Sequence, residues 1–203
     1  MDKASDRRLS VIVAALAALW LAMLTLGGPG SSVDLALLGA AQLPGLIPAA
    51  RAMTRLGDWT ILLPIGLVAT VLMVVRGHPR RGALFLLLIV SGRVLVELQK
   101  AQFDRARPDP HGHLVAVHSM AFPSGHAAHS MTLWLGMALL AIASPRLRRP
   151  TLLLALSLTL LTGVSRPILG VHWPSDVIGG WAFGAAWTLL LVRLFGTAPP
   201  ARH

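Results

Sequence analysis

Residues 82–108 read GALFLLLIVSGRVLVELQKAQFDRARP, an apolar run that ends in a cluster of bases. From Gly82 to Gln99 the only charged groups are Arg93 and Glu97, and about 18–20 apolar residues wound as a helix cross ~30 Å of hydrocarbon. This run is therefore read as a membrane-spanning helix. Residues 9–28, 58–76, 126–143, 151–165 and 176–195 have the same character, and 151–165, the shortest, is expected to extend toward Pro167. The expected architecture is all-α: about six spans in one bundle, with residues 1–203 forming a single membrane-embedded domain. Composition agrees, since 55% of residues are apolar and 13% charged, a balance that suits lipid better than water.

The net charge of +10 does not point to nucleic acid, because the bases are scattered between spans and form no stripe with interleaved aromatics. The bilayer is the expected partner, and nothing in the sequence sets an oligomeric state. The chain has no cysteine, which excludes disulfides and thiolate metal sites. Lys3, Arg7 and Arg8, then Arg76, Arg80 and Arg81, then Arg146, Arg148 and Arg149, then Arg193 and Arg202 alternate in register with the spans. Basic short loops stay in the cytoplasm, so the chain is expected in the cytoplasmic (inner) membrane with both termini on the cytoplasmic side. The basic flank of the first span resembles a signal peptide, but its apolar run is longer than a usual signal core and reads as a retained anchor. Residues 32–55 are expected on the outer side, either as an interfacial helix that helps lipid enter or as a loop helix packed on the bundle. Trp59, Trp173 and Trp181 are expected as interfacial anchors at outer span ends.

Polar clusters interrupt this oily chain at three places, and ionisable groups beside a membrane span are functional candidates. In the first, Lys100 and Arg107 are seven residues apart, two helical turns, so both are expected on one helix face before Pro108 stops the helix. Two converging cations read as a phosphoryl grip, with Arg as a fork and Lys as a point charge, or as side chains snorkelling to lipid headgroups. The second, Pro123-Ser124-Gly125-His126, reads as a helix start with Ser124 as N-cap and Gly125 allowing close backbone approach to a ligand. Free amides at such a helix end attract an anion, and His126 beside it is placed to hand a proton to a departing alkoxide. The plainer reading is a Ser-capped helix with an interfacial histidine. In the third, Ser165-Arg166-x5-His172-x3-Asp176, a carboxylate four residues from an imidazole accepts one ring N–H and leaves the other nitrogen as a nucleophile. A His–Asp pair that merely links two spans is the alternative. Arg166 is read as a third cation on the phosphoryl oxygens, and Ser165 as a helper or helix-end residue.

Together the three clusters resemble the signature motifs of the type 2 phosphatidic acid phosphatase family, in order and at the family spacing, within residues 100–176. The resemblance extends forward to Leu56-Gly57-Asp58, a family-like lead into the second span. It implies a membrane lipid phosphatase in which His172 attacks phosphorus, Asp176 orients it and His126 protonates the leaving group. Lys100, Arg107, Ser124, Gly125 and Arg166 then stabilise the pentacovalent oxygens. The implied substrates are phosphatidate, phosphatidylglycerophosphate, a lipid A phosphate or undecaprenyl diphosphate, hydrolysed at the outer face. Neither a metal nor an organic cofactor is expected, since three cations and a helix N-terminus already neutralise the phosphoryl oxygens. A phosphotransferase using the same site, and a non-catalytic transporter or scaffold, are the rival readings.

Glu97 lies between Arg93 and Lys100 at helical spacing and is read as a supporting partner able to neutralise either. His111, His113 and His118 crowd one loop but lack nearby carboxylates, so a solvated loop is expected rather than a metal site. His129, one turn beyond His126, is read as packed or supporting. The orientation makes a testable prediction: single cysteines introduced into this cysteine-free chain at position 118 react with an impermeant maleimide on intact spheroplasts, whereas those at 80 and 148 do not. The reverse labelling pattern inverts the topology.

Overall fold

The computed structural model describes residues 3–142 and 144–196; Arg202 lies outside them. Among the described residues every regular element is helical: α1 (Lys3–Leu26), α2 (Ser32–Ala41), α3 (Ile47–Arg55), α4 (Trp59–Val75), α5 (Pro79–Phe103), α6 (Gly125–Leu140), α7 (Pro145–Ile168) and α8 (Pro174–Phe195). Short 3-10 turns at Pro44–Leu46 and Pro110–Gly112 complete them. Prolines open α5, α7 and α8, where a missing N–H costs nothing and the fixed φ suits the first helical turn. As expected, 151–165 belongs to a longer helix, α7, which runs on through Pro167.

Four helices, α1, α5, α7 and α8, are long and apolar enough to cross a membrane. α4 and α6 have 17 and 16 residues, which at about 1.5 Å per residue makes them shorter than the hydrocarbon is thick. The segment 32–55 is two helices rather than one, α2 and α3, bent by 69° about the Pro44 turn. Outward-facing Val68, Val71 and Val75 on α4 and Leu153, Leu154 and Leu160 on α7 are exposed, an apolar exterior that belongs in lipid.

α8 lies against α1 and α6, while α7 packs on α6 and α3 and α5 on α4 and α6. Leu62, Phe85, Leu88, Ile89 and Leu133 form the main buried cluster among α4, α5 and α6. Without a hydrophobic drive between helices in lipid, close backbone contact over small residues does more of the packing. Gly180 and Gly184 supply it. A Cβ on Gly180 would lie 2.7 Å from the Ser124 carbonyl oxygen, and one on Gly184 2.6 Å from that of Ala128. The two helices that bear the second and third polar clusters are thus pressed together at that level.

Trp173 does not anchor at an interface. It is buried, and its indole N–H donates to the Ala106 carbonyl at 2.9 Å, as an enclosed indole usually does. Trp59 instead meets Arg93, whose guanidinium carbon is 4.9 Å from the ring centroid, and Trp181 donates to the Thr159 carbonyl.

Gly180→Val tests the α6–α8 seam. The added methyls have no room against the α6 backbone, and overpacking of this kind costs about 1–3 kcal/mol. A lower melting temperature in detergent is expected, with Gly30→Val, a position with open space around it, leaving the melt unchanged.

Candidate active site

The site is built around the start of α8. Asp176 is the third residue of that helix and turns back on its own N-terminus, where one carboxylate oxygen accepts from the N–H of the N-cap residue Trp173 at 2.9 Å. The same oxygen lies 3.2 Å from His172 Nδ1, and the other accepts from Arg105 Nη1 at 2.9 Å. His172 Nε2 is 3.1 Å from Arg107 Nη1. A guanidinium can only donate, so Nε2 is the acceptor and Nδ1–H faces the carboxylate. The expected tautomer follows, with one correction: the Nε2 lone pair is not left open but is held by Arg107. His172 is 1% exposed. Burial, and after it the Arg107, Arg166, Lys100 and His126 charges, hold its pKa well below the ordinary imidazole value.

Lys100 and Arg107 converge, though not from one helix face. α5 ends at Phe103, where Asp104 adopts a left-handed conformation with φ 47°, and Arg107 belongs to the loop beyond. The meeting point is Ser119-Met120. Lys100 Nζ donates to Ser119 Oγ at 2.8 Å and to the Met120 carbonyl at 3.1 Å. Arg107 donates to the Ser119 carbonyl at 2.6 Å and to the Met120 carbonyl at 3.3 Å, and also to the Val171 carbonyl. Burial lowers the Arg107 pKa, but a guanidinium starts so high that it stays charged. Glu97 takes Arg93, at 3.7 Å on a part-exposed face, and makes no hydrogen bond to Lys100, whose ammonium points instead toward the loop.

Ser124 occupies the N-cap position of α6, yet its hydroxyl caps no amide. It is fully buried without a protein partner, while its N–H donates to the Asp176 carbonyl at 2.9 Å. A Cβ on Gly125 would sit 3.4 Å from His129 Cε1 and 3.8 Å from Lys100 Cε, so the bare backbone here lies between the histidine and the lysine stem. His126 Nε2 is 2.9 Å from Asp58 Oδ1, and that hydrogen bond holds the Asp58 carboxyl below its usual range. Buried Arg166 donates through Nη1 to Thr54 Oγ1, while its Nε has no protein partner. Ser165 is buried and turns its hydroxyl back to the Thr162 carbonyl at 2.6 Å. His129 packs edge-on against Trp59, and His113 lies 3.1 Å from the Pro108 carbonyl. No group of three or more His, Asp or Glu side chains able to hold a metal ion occurs among the described residues.

Reading by motif gave no individual role in the site to Arg105, Asp34, Asp58 or Ser119. Arg105 stands with Lys100, Arg107 and Arg166 among the bases of the outer loops, but its place there does not say which buried group it pairs with. Asp34 carried no such signal: it is buried in α2 and accepts from the Ser175 N–H at 2.9 Å and the Gly28 N–H at 2.7 Å.

Family comparison fits this geometry. The PAP2 superfamily model matches residues 81–200, more than half of the chain and all three clusters. The chain belongs to the PAP2 superfamily. Phosphatidylglycerophosphatase B of Bacillus subtilis is 31% identical over 160 residues, covering 75% of this chain and 78% of that protein. The lipid A 1-phosphatase of Rhizobium johnstonii is 38% identical over 121 residues, covering 56% of this chain and 48% of the relative, so the match spans about half of that longer protein. The crystal structure of a transmembrane PAP2 type phosphatidylglycerolphosphate phosphatase from Bacillus subtilis superposes with a TM-score of 0.81 at 27% identity, over 88% of this chain and 93% of that one. This PAP2 member is accordingly a multi-pass membrane protein.

Neutral, buried His172 makes stability depend on pH. An unfolded imidazole takes up a proton near pH 6.5, whereas the folded one resists it, so the contribution is complete above pH 6.5 and is lost as the pH falls below that value. Detergent melts of the parent are expected to decline from pH 6.5 downward more steeply than those of His172→Asn, by up to about 1.4 kcal/mol per pH unit.

Proposed function

We propose that the chain is a lipid phosphatase that hydrolyses a phosphomonoester or diphosphate at the outer membrane face through a phosphohistidine on His172. One observation carries the reading. Two buried donors, Ser124 Oγ and Arg166 Nε, have no protein partner, beside Lys100, Arg107 and an imidazole backed by a carboxylate. Buried donors left unpaired cost about 1–3 kcal/mol each, and cations gathered at one point repel. A phosphoryl group relieves both costs, with oxygens for Ser124, the Gly125 amide, Lys100, Arg107 and Arg166.

In this mechanism Arg107 shifts from His172 Nε2 onto a phosphoryl oxygen, which frees the lone pair for attack. Asp176 holds Nδ1–H and stabilises the positive charge that develops on the ring. His126 protonates the leaving oxygen and then takes a proton from the water that hydrolyses the intermediate. Charge neutralisation by three cations leaves no task for a divalent metal, so turnover survives EDTA. The proposed topology has six spans, α1, α4, α5, α6, α7 and α8, both termini inside, and α2–α3 on the outer side beside the site.

The relatives' names support a lipid phosphate as substrate class, and hydrolysis rather than transfer to another acceptor. A transporter or scaffold would have no use for an imidazole held in one tautomer against a buried carboxylate. The test is a rapid acid or alkali quench of purified protein with radiolabelled phosphate ester. Parent protein acquires acid-labile, alkali-stable label and releases inorganic phosphate. His172→Ala acquires none and loses at least about 10³-fold in turnover. Label persisting in His172→Ala, or dependence on added magnesium or zinc, overturns the mechanism.

A further inference from the structure

Asp58 occupies the N-cap position of α4, where an aspartate ordinarily bonds the free amides of its own helix. It does not. Its side chain makes no capping hydrogen bond and reaches across to His126 Nε2 at 2.9 Å, 68 residues away in sequence. The preceding residue is shaped for this reach. A Cβ on Gly57 would lie 2.3 Å from Thr162 Cγ2 and 2.9 Å from His126 Cδ2, so a glycine is what lets the Asp58 backbone come up to the ring. The contact is also selective by charge. Lys100 from α5, Arg166 from α7, His129 on the same helix and His172 before α8 all lie within electrostatic reach of His126. Arg55 at the end of α3 acts on Asp58. Every one of these neighbours is basic, and Asp58 sets a carboxylate against them.

We propose that Asp58 is a positioning residue for His126, forming a second carboxylate–imidazole pair that fixes which ring nitrogen exchanges protons with the substrate. The proposal rests on the phosphohistidine reading above. A carboxylate accepts, so Nε2 keeps its hydrogen toward Asp58, and Nδ1, which bonds no protein group among the described residues, is the working atom. In the first half-reaction His172 Nε2 bonds to phosphorus as the P–O bond to the lipid alcohol or phosphate breaks. That electron pair goes to the leaving oxygen, which takes the proton from His126 Nδ1. In the second half, water oxygen bonds to phosphorus, its proton goes to Nδ1, and the P–N electron pair returns to His172. His126 ends as it began, and Nε2–H never leaves Asp58. The two histidines are therefore supported in mirrored fashion, His172 through Nδ1 by Asp176 and His126 through Nε2 by Asp58.

The experiment uses the full-length protein in detergent, with Asp58→Asn and with Asp58→Ser, which removes the charge but keeps a helix-capping side chain. Each is assayed with an alkyl lipid phosphate and with an aryl phosphate whose phenolate leaves without a proton. A general acid must be protonated to act, and loss of the carboxylate leaves the imidazolium facing cations alone. The high-pH limb of kcat for the alkyl ester is thus expected to move to lower pH. At neutral pH kcat falls about 10²-fold, with KM within about twofold, while the single-turnover burst of phenolate keeps its parental rate. In a His126→Ala background the same substitutions add no further loss. A burst slowed in step with turnover, an unmoved limb, or losses that multiply with His126→Ala reduce Asp58 to a structural residue and overturn the proposal. The two readings fail differently: a parent that releases no phosphate from any lipid phosphate removes the phosphatase assignment and the pair with it. Parent turnover that Asp58→Asn leaves unchanged removes the pair alone.

Discussion

The Asp176 carboxylate is fully enclosed, and most of the site's geometry depends on satisfying it. Several kcal/mol separate a buried charge with complete hydrogen bonding from one without, so the groups around it have little freedom. Arg105 reaches one oxygen, and the Trp173 N–H and His172 share the other. Through Arg105 the demand spreads further, since the second guanidinium nitrogen donates to the Met23 and Leu24 carbonyls at the end of α1. Those carbonyls lie in the last turn of α1, where no helical partner exists for them. Next door, Ser175 bonds Asp34 in α2. The start of α8, the end of α1, α2 and the loop after α5 are thereby fixed to one another by a single polar network.

Opposite that network stand Lys100, Arg107 and Arg166. The protein holds the first two in place with neutral acceptors, the carbonyls of Ser119, Met120 and Val171, and gives them no carboxylate of their own. Carbonyl oxygens orient a cation without cancelling its charge, so the field of the cluster remains available to an incoming anion. The loop that carries Ser119 and Met120 is tied back to the first cluster by the Ala121 N–H to Arg105 carbonyl bond at 2.9 Å. Charges are thus segregated: carboxylates lie behind the histidines, and Lys100 and Arg107 are held by neutral acceptors, where the proposed mechanism puts the phosphoryl oxygens. The apolar sides of the bundle and the gathering of polar groups at helix ends are two expressions of one rule, that no unsatisfied backbone polar group faces the hydrocarbon.

Much of this was legible in the sequence, wherever one helix is enough to decide the matter. Apolar runs set the helices to within a few residues, except at α1 and α7, whose helices start well before the apolar runs expected for them, α7 because Pro145 suits a first turn. His172 and Asp176 meet as their spacing implies, because four residues at the start of a helix bring a side chain back over the preceding turn. Spacing misled for Lys100 and Arg107. Asp104 takes a left-handed φ and ends α5 before Arg107, so the two cations come together through a folded loop. It was silent on Arg105 with Asp176, 71 residues apart, and on Asp58 with His126. Within a helix, backbone periodicity alone sets which side chains are neighbours; between helices that is decided by how closely their backbones approach, by their crossing and by the caps that stop them, and only the packed tertiary structure contains those quantities.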